Sequence, residues 1–478
     1  MRIAVLGAGY AGVTVARRLD ARLPPEVELV VVDERPTPLV QHELHRLVRY
    51  PELEDVVQVP LGDLFDRAEV EIARVDSIDR DARVVQLTGD DGDQDLEYDY
   101  AAVCLGAETA FYDLPGLEEY AIPLKRVTDA HAIRESFLAT CRTGGTAVVG
   151  GAGLSGVQIA GELAALADEE NADVEIVLLE QLDSVTPSFP ENFQRAVHDE
   201  LVSRGVDVRT NTTVERASAD AVETDSGSIE YDTLVWTGGI RGAAALGGER
   251  PAVRSDLRLD DRTFVVGDAA RIVDADGEAV PASASAALRE ARVVADNLLE
   301  LVRHDHEADP DDFRPRLRQY RFDVPGWIVS IGDGTVAQVG PTVLRGPAAR
   351  AMKATVGAGH LSSVGAVQQA VDLVETELGP RAVDRADTEA LGTTLDDAVS
   401  APADVVDRID AVDVTDVVDA VDRGTRSADE PSEPIEIEIP VDDEPEAESD
   451  GRIQEGEENE TEVGDGDEGD GDGDEPTH

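Results

Sequence analysis

The sequence predicts an α/β fold with two parallel βαβ units, a small third domain and an acidic tail, and three observations carry the prediction. A short apolar strand pattern, MRIAVL at residues 1–6, runs into Gly7-Ala8-Gly9-Tyr10-Ala11-Gly12 and then a helical pattern through Leu19. The same order returns at residues 146–149 (TAVV), followed by Gly151-Ala152-Gly153-Leu154-Ser155-Gly156 and the helical VQIAGELAALADE. Each unit then comes back to an apolar strand that ends in an acid: residues 29–32 lead to Asp33, and residues 174–179 lead to Glu180. One GxGxxG alone is weak evidence. A strand before it, a helix after it and an acid at the expected distance make each unit a Rossmann-like dinucleotide-binding domain.

The residue types in this pattern point to a definite chemistry. The first glycine permits the tight turn, the second lets backbone approach a pyrophosphate, and the third lets helix pack on strand. Gly7, Gly9 and Gly12 take these places in the first unit, and Gly151, Gly153 and Gly156 in the second. The diphosphate then sits on the free N–H groups and positive end of the helix. The terminal carboxylate accepts from ribose hydroxyls. In the first unit either Asp33 or the adjoining Glu34 could do so; in the second it is Glu180. Gln181 and Leu182 follow with no Arg or Lys, and a carboxylate repels a 2′-phosphate, so NADH is expected over NADPH. Two dinucleotide sites imply two dinucleotides, and the obvious pair is a flavin and a nicotinamide. Hydride transfer between them needs stacking geometry rather than a protein acid or base, so no catalytic residue is expected.

Composition excludes several alternatives. The 478 residues carry 41 Lys+Arg against 102 Asp+Glu, a formal net charge of −61, which argues against nucleic-acid binding. Lysine occurs only at Lys125 and Lys353. Acid in excess over lysine suits a protein kept soluble in concentrated salt, and a codon bias that turns Lys into Arg is the alternative. The two cysteines, Cys104 and Cys141, form no CxxC or CxxxxC pair, so a redox disulfide, a sulfur-carrying role and a zinc cluster are not expected. No metal site is expected. No apolar run reaches the length of a membrane span, and the N-terminus opens on a strand pattern, so no signal peptide is expected.

Further segments resemble a known family. They are VCLGAETAFYDLPGLEEYAIPLK (103–125), SFPENFQRAVHDELVSRGVDVRTNTTV (188–214), VWTGGIRG (235–242), TFVVGDAA (263–270) and GWIVSIGDGTVAQVG (326–340). With the paired glycine motifs, they are similar to the two-dinucleotide-binding flavoproteins and, among these, to type II (non-proton-pumping) NADH dehydrogenases. The resemblance covers roughly residues 1–377. It implies an FAD domain in two pieces, 1–115 and 237–312, around an NADH domain at 116–236. It also implies a C-terminal domain at 313–377, followed by a tail at 378–478.

The resemblance further implies non-covalent FAD, with Gly106, Gly267, Asp268 and Ala284 joining Gly7, Gly9, Gly12 and Asp33 in its site. An ordinary helix N-cap is the alternative for Asp268. Pro281 sets up a helix over about 283–299, whose positive N-terminus would face the flavin. Gly238 joins the NADH site. Two departures from the family stand out. Gln158 replaces the Glu that commonly follows the second glycine motif, although Glu162 matches. On the quinone side, Ser285 and Arg289 stand where the family typically has two Gln. Lys125, at a junction between domains, is a site candidate, with chance survival as the alternative; His42 and His45 could line the flavin and are read as helix-face residues.

Partners follow from the same resemblance. A quinone is the expected acceptor, with a soluble reductase serving a small redox protein or oxygen as the alternative, and a redox-responsive binding protein as a third. The chain is expected in the cytoplasm, peripheral on the cytoplasmic face of the membrane, and a homodimer is compatible with it. Residues 334–371 contain no Asp or Glu, where an even spread would put roughly eight. Simple burial explains part of this, but Arg345, Arg350 and Lys353 stand there instead, so this window is expected to face anionic lipid headgroups at the quinone entrance. Val405, Ile409, Val412, Val417 and Val421 sit near helical spacing. Residues 429–478 hold 23 acids against the single Arg452, which cannot bury a core and is expected to be disordered.

Overall fold

A computed structural model describes residues 1–37, 41–54, 60–90, 92–307, 313–324, 326–346, 348–350 and 352–353. The side chains of Gln41 and His42 also fall outside it, as do the valine-spaced segment 405–421 and the acidic tail.

The chain opens with β1 (Arg2–Leu6), α1 (Tyr10–Asp20) and β2 (Glu28–Asp33). A 3-10 helix at Gln41–Val48 precedes β3 (Glu69–Asp79), β4 (Val84–Gly89), β5 (Gly92–Glu97) and β6 (Tyr100–Val103). Next come β7 (Ala107–Thr109), α2 (Leu117–Tyr120), β8 (Ile122–Pro123) and α3 (Val127–Thr143). The second glycine unit is β9 (Gly145–Gly150), α4 (Leu154–Glu170) and β10 (Val174–Leu179). It continues through α5 (Glu191–Ser203), β11 (Val206–Arg209), β12 (Val214–Ala217), β13 (Ala221–Thr224), β14 (Gly227–Glu230) and β15 (Thr233–Trp236). The chain returns through β16 (Ile240–Gly242), β17 (Ala252–Val253), β18 (Thr263–Val265) and β19 (Arg271–Ile272) to α6 (Ala284–Glu307). It ends in the antiparallel β20 (Gly326–Ile331), β21 (Gly334–Val339) and β22 (Thr342–Arg345).

The first sheet has the order β18-β6-β1-β2-β3-β4-β5. Its inner strands are parallel, so β1 registers Val5 against Val31 of β2 and Ala102 of β6. They are near-continuous apolar runs because helices cover them, and β1, β2 and β6 are almost wholly buried. β18 joins β6 in parallel, although some 160 residues separate them in sequence. The second sheet, β11-β10-β9-β15-β8, is entirely parallel. β7 and β16 pair antiparallel, Ile240 with Thr109 and Gly242 with Ala107, and so bind the outgoing and returning crossovers together.

Both glycine units take the predicted βαβ form. α6 runs two turns beyond the predicted 283–299, because Val294, Leu298, Leu301 and Val302 continue its buried stripe. Ser283 caps it, its hydroxyl accepting from the Ala286 amide at 3.2 Å. Among the described residues, no helix is long and apolar enough to cross a membrane.

Candidate functional site: two glycine turns and their acids

The two glycine turns are built alike. Gly7 has φ +94° and Gly151 has φ +91°, a left-handed backbone that favours glycine. A Cβ on Gly7 would lie 2.4 Å from the Cys104 carbonyl oxygen, and one on Gly151 would lie 2.4 Å from the Gly238 Cα. A Cβ on Gly12 would lie 1.8 Å from the Gly7 carbonyl oxygen, and the same distance separates Gly156 from Gly151. The middle glycines differ. Nothing lies within 4 Å of a Cβ built on Gly9 or Gly153, so each faces open space.

Each acid closes its turn. The Asp33 carboxylate accepts from the Ala8 amide at 2.7 Å and the Arg35 amide at 3.0 Å. Glu180 accepts from Ala152 at 2.8 Å and Leu182 at 3.0 Å. Burial pushes the Asp33 carboxyl above its ordinary value, and the two amides pull it back. The structure separates Asp33 from Glu34, which points away and pairs with Arg126 at 3.3 Å. Gly9 and Gly153 precede α1 and α4 with no side-chain cap and no acid in the first turn, so the helix amides stay free for an anion. This is the cradle that a dinucleotide pyrophosphate needs, twice over.

The second flavin candidate, Gly267-Asp268, lies in a 3-10 turn at Gly267–Ala269 whose N-cap is Val266, so Asp268 is not the N-cap. Gly267, at φ +67°, donates its amide to Glu290 at 2.8 Å. Arg250 holds the carbonyls of Asp268 and Ala270 at 2.6 Å each. Burial depresses the Lys125 ammonium, and nearby Asp268 offsets this, which brings the site candidate Lys125 beside the second flavin motif. Gly106, at φ +67°, links β6 to β7 with open space around it. Ala284 opens α6. Ser285 and Arg289 bind each other, Nη1 to Oγ at 2.6 Å. Gln158 is half-buried on α4.

Sequence reasoning missed Glu290 and a second buried cluster. Glu290 is 1% exposed, and burial raises its carboxyl to about 7. Its signal was available: it lies on the apolar stripe Ala286, Ala287, Ala291, Val294 of α6. Glu162 is likewise raised to about 7 by burial, against the pull of Arg49, Arg46 and Lys353. His45 is buried beside it, its Nε2 3.2 Å from Ser330 Oγ and 3.9 Å from Glu162, rather than on an ordinary helix face.

The cations of residues 334–371 that are described have protein partners. Lys353 turns inward to Glu43 at 3.3 Å, and Arg350 donates to the Asp333 carbonyl. Arg345 pairs with Asp199 of α5 at 3.1 Å. Two of these cations thus meet carboxylates of other elements, and the third meets a main-chain carbonyl. Residues 354–371 lie outside the described residues.

The sequence pattern of the pyridine nucleotide-disulphide oxidoreductases matches residues 1–291. The chain belongs to this family. It is an FAD- and NADH-using oxidoreductase related to type II NADH:quinone oxidoreductases. A demethylphylloquinone reductase of Synechocystis is 28% identical over 73% of this chain and 89% of its own length. A type II NADH:quinone oxidoreductase of Haemophilus influenzae is 25% identical, over 70% of this chain and 85% of its own. In fold, the chain is similar to NDH2 of Plasmodium falciparum solved with NADH, with a TM-score of 0.67 at 14% identity, covering 79% of this chain and 98% of that one. Unlike a disulphide reductase, this family member has only free cysteines. Cys104 is buried behind the Gly7 turn, and burial pushes its thiol up, away from the reactive thiolate.

Proposed function

We propose that this chain oxidises NADH and passes the electrons to a quinone. The observation that carries the reading is the doubled turn: two open glycine cradles, each closed by a carboxylate at the end of the neighbouring strand. Gly7, Gly9, Gly12 and Asp33 would hold FAD at its diphosphate and adenosine ribose, with Gly106, Gly267, Asp268 and Ala284 along the rest of it. Gly151, Gly153, Gly156, Glu180 and Gly238 would hold NADH. FAD, when bound, supplies the two-electron chemistry that links a hydride donor to a quinone.

The protein's own contribution is position and field. Glu180 spends both carboxylate oxygens on the turn, and its charge disfavours a 2′-phosphate. Glu290 and Arg250 lock the Gly267-Asp268 turn from either side. The N-terminus of α6, which Ser283 caps at the Ala286 amide, would turn its positive end toward negative charge developing on the flavin. Quinone as acceptor is supported by the relatives named for that activity, in Haemophilus influenzae and two staphylococci. A lipid-dissolved quinone requires access to a membrane surface, which would make the chain peripheral on the cytoplasmic face.

The test is spectroscopic. The purified protein should be yellow, release FAD on denaturation, bleach with NADH in the absence of oxygen, and recover its colour when a short-chain quinone is added. Recovery with oxygen or a small redox protein but not with quinone would favour the soluble-reductase alternative. A colourless, FAD-free protein would sink both.

A further inference from the structure

We propose that Tyr112 is a binding and positioning residue for the nicotinamide half of NADH. This rests on the second glycine turn being the NADH site. The sheet order then fixes which way the dinucleotide runs. β9 leads into the Gly151 turn, β10 lies on one side of it and β15 on the other. Glu180, at the end of β10, marks the adenosine ribose side. Past the pyrophosphate, the remaining half must cross the end of β15, where Thr237, Gly238 and Gly239 follow Trp236.

Tyr112 stands there. Its phenol oxygen lies 3.4 Å from the Gly238 carbonyl, and a Cβ on Gly239 would fall 1.9 Å from the same oxygen. Gly238 in turn abuts Gly151, so the ring is one residue away from the turn that would hold the pyrophosphate. The ring is 61% exposed, among the few large apolar side chains of the described residues left in solvent. Its neighbours Phe111 and Leu114 pack inward against the core of the second unit.

The backbone is what turns Tyr112 outward. Tyr112 has φ +55° and Asp113 has φ +54°. Asp tolerates this region, but for a bulky aromatic residue it is strained. The strain is held in place from both sides. The Ala110 amide donates to Gly239 at 3.0 Å, the Trp236 indole donates to the Ala110 carbonyl at 2.8 Å, and Leu114 closes the turn onto Phe111 at 3.0 Å. A strained residue that is over-determined by its surroundings and exposes an aromatic face at a ligand-bearing sheet edge is the pattern of a binding site. The glycines opposite it matter for the same reason, since any side chain on Gly239 would displace the phenol.

The experiment uses the full-length protein with its FAD. Steady-state rates with NADH and a water-soluble quinone, FAD content, and the primary isotope effect with 4-deuterated NADH are measured for wild type and for Tyr112→Ala, Tyr112→Gly and Tyr112→Phe. Glycine keeps the left-handed backbone without the ring; Phe keeps the ring. Ala and Gly should each raise the NADH KM by about tenfold, the factor corresponding to 1.4 kcal/mol. They should also enlarge the isotope effect, with FAD content and quinone KM held at wild-type levels, and Phe should restore most of the NADH affinity. If Ala fails while Gly behaves as wild type, the backbone and not the ring is at work, and the proposal is overturned. It is likewise overturned if the quinone KM moves and the NADH KM does not. Failure of the wild-type flavin to bleach with NADH would instead overturn the functional reading itself.

Discussion

At Glu290, a carboxylate on the apolar stripe of α6 is cut off from water, and burial lifts it from its ordinary 4.5 to about 7. Between those values the folded protein keeps a proton that the unfolded chain has released. Stability therefore falls as pH rises from 4.5 toward 7, and levels off above. Glu290→Gln still offers an oxygen to the Gly267 amide but does not titrate. Thermal melts of the holoprotein should show the variant gaining on wild type across that window, by about 3 kcal/mol at most. A difference independent of pH would mean that Glu290 titrates as an ordinary glutamate. Glu180 is the other single residue with a sharp expectation. Glu180→Ser with Gln181→Arg should shift the ratio of kcat/KM toward NADPH by roughly 10- to 100-fold, since a charge-assisted bond replaces a repulsion. Unchanged selectivity would assign the ribose to another carboxylate.

The glycine turn as an element makes a contrast between neighbours. Gly12→Ala drives a Cβ to 1.8 Å from the Gly7 carbonyl, so strand and helix must part. Gly9→Ala meets nothing in the protein, and its methyl group would occupy only the space meant for the pyrophosphate. Soluble yield should accordingly collapse for Gly12→Ala, while Gly9→Ala should give well-folded protein by circular dichroism with its FAD content sharply reduced. Full FAD content in Gly9→Ala would show that the cofactor does not approach this turn. The buried cluster around Glu162 ties other elements together: the 3-10 helix at Gln41–Val48, α4, and the segment that carries Lys353. Lys353→Met removes one partner, at 3.3 Å, from Glu43, which is 1% exposed and keeps Arg46 at 3.0 Å, and should cost about 1.5–3 kcal/mol by urea denaturation.

For the whole molecule, charge is the dominant fact. A net charge of −61 on one chain stores self-repulsion that salt relieves, because the screening length falls from about 10 Å at 0.1 M to about 3 Å at 1 M. The melting temperature should climb steadily as KCl is raised from 0.1 to 2 M. A flat or falling profile would mean that repulsion does not limit stability, and would favour codon bias over salt adaptation. Truncation after Leu378 removes much of that charge, and FAD binding and NADH oxidation should survive it. Loss of flavin in the truncated protein would show that the tail is structural.

The sequence by itself determined the parts whose information is local. Each βαβ unit is a run of about 30 residues in which strand period, glycine spacing and a terminal acid all agree, so both turns and both acids were legible. The remaining features depend on residues distant in the chain. Asp33 and Glu34 are adjacent and chemically alike, and Arg126 separates them by claiming Glu34. Lys353 and Arg345 look unmatched in sequence because Glu43 and Asp199 reach them from other elements. His45 and Glu162 are buried by packing that no local pattern records, whereas Glu290 is marked by the apolar stripe around it; burial is the main cause that moves the two carboxyls toward neutral pH. Tyr112 carries no local signal, and it is the fold that brings it to the C-terminal end of β15. Local periodicity encodes turns and helices, whereas the desolvation and pairing of charges are set by whatever the fold brings near.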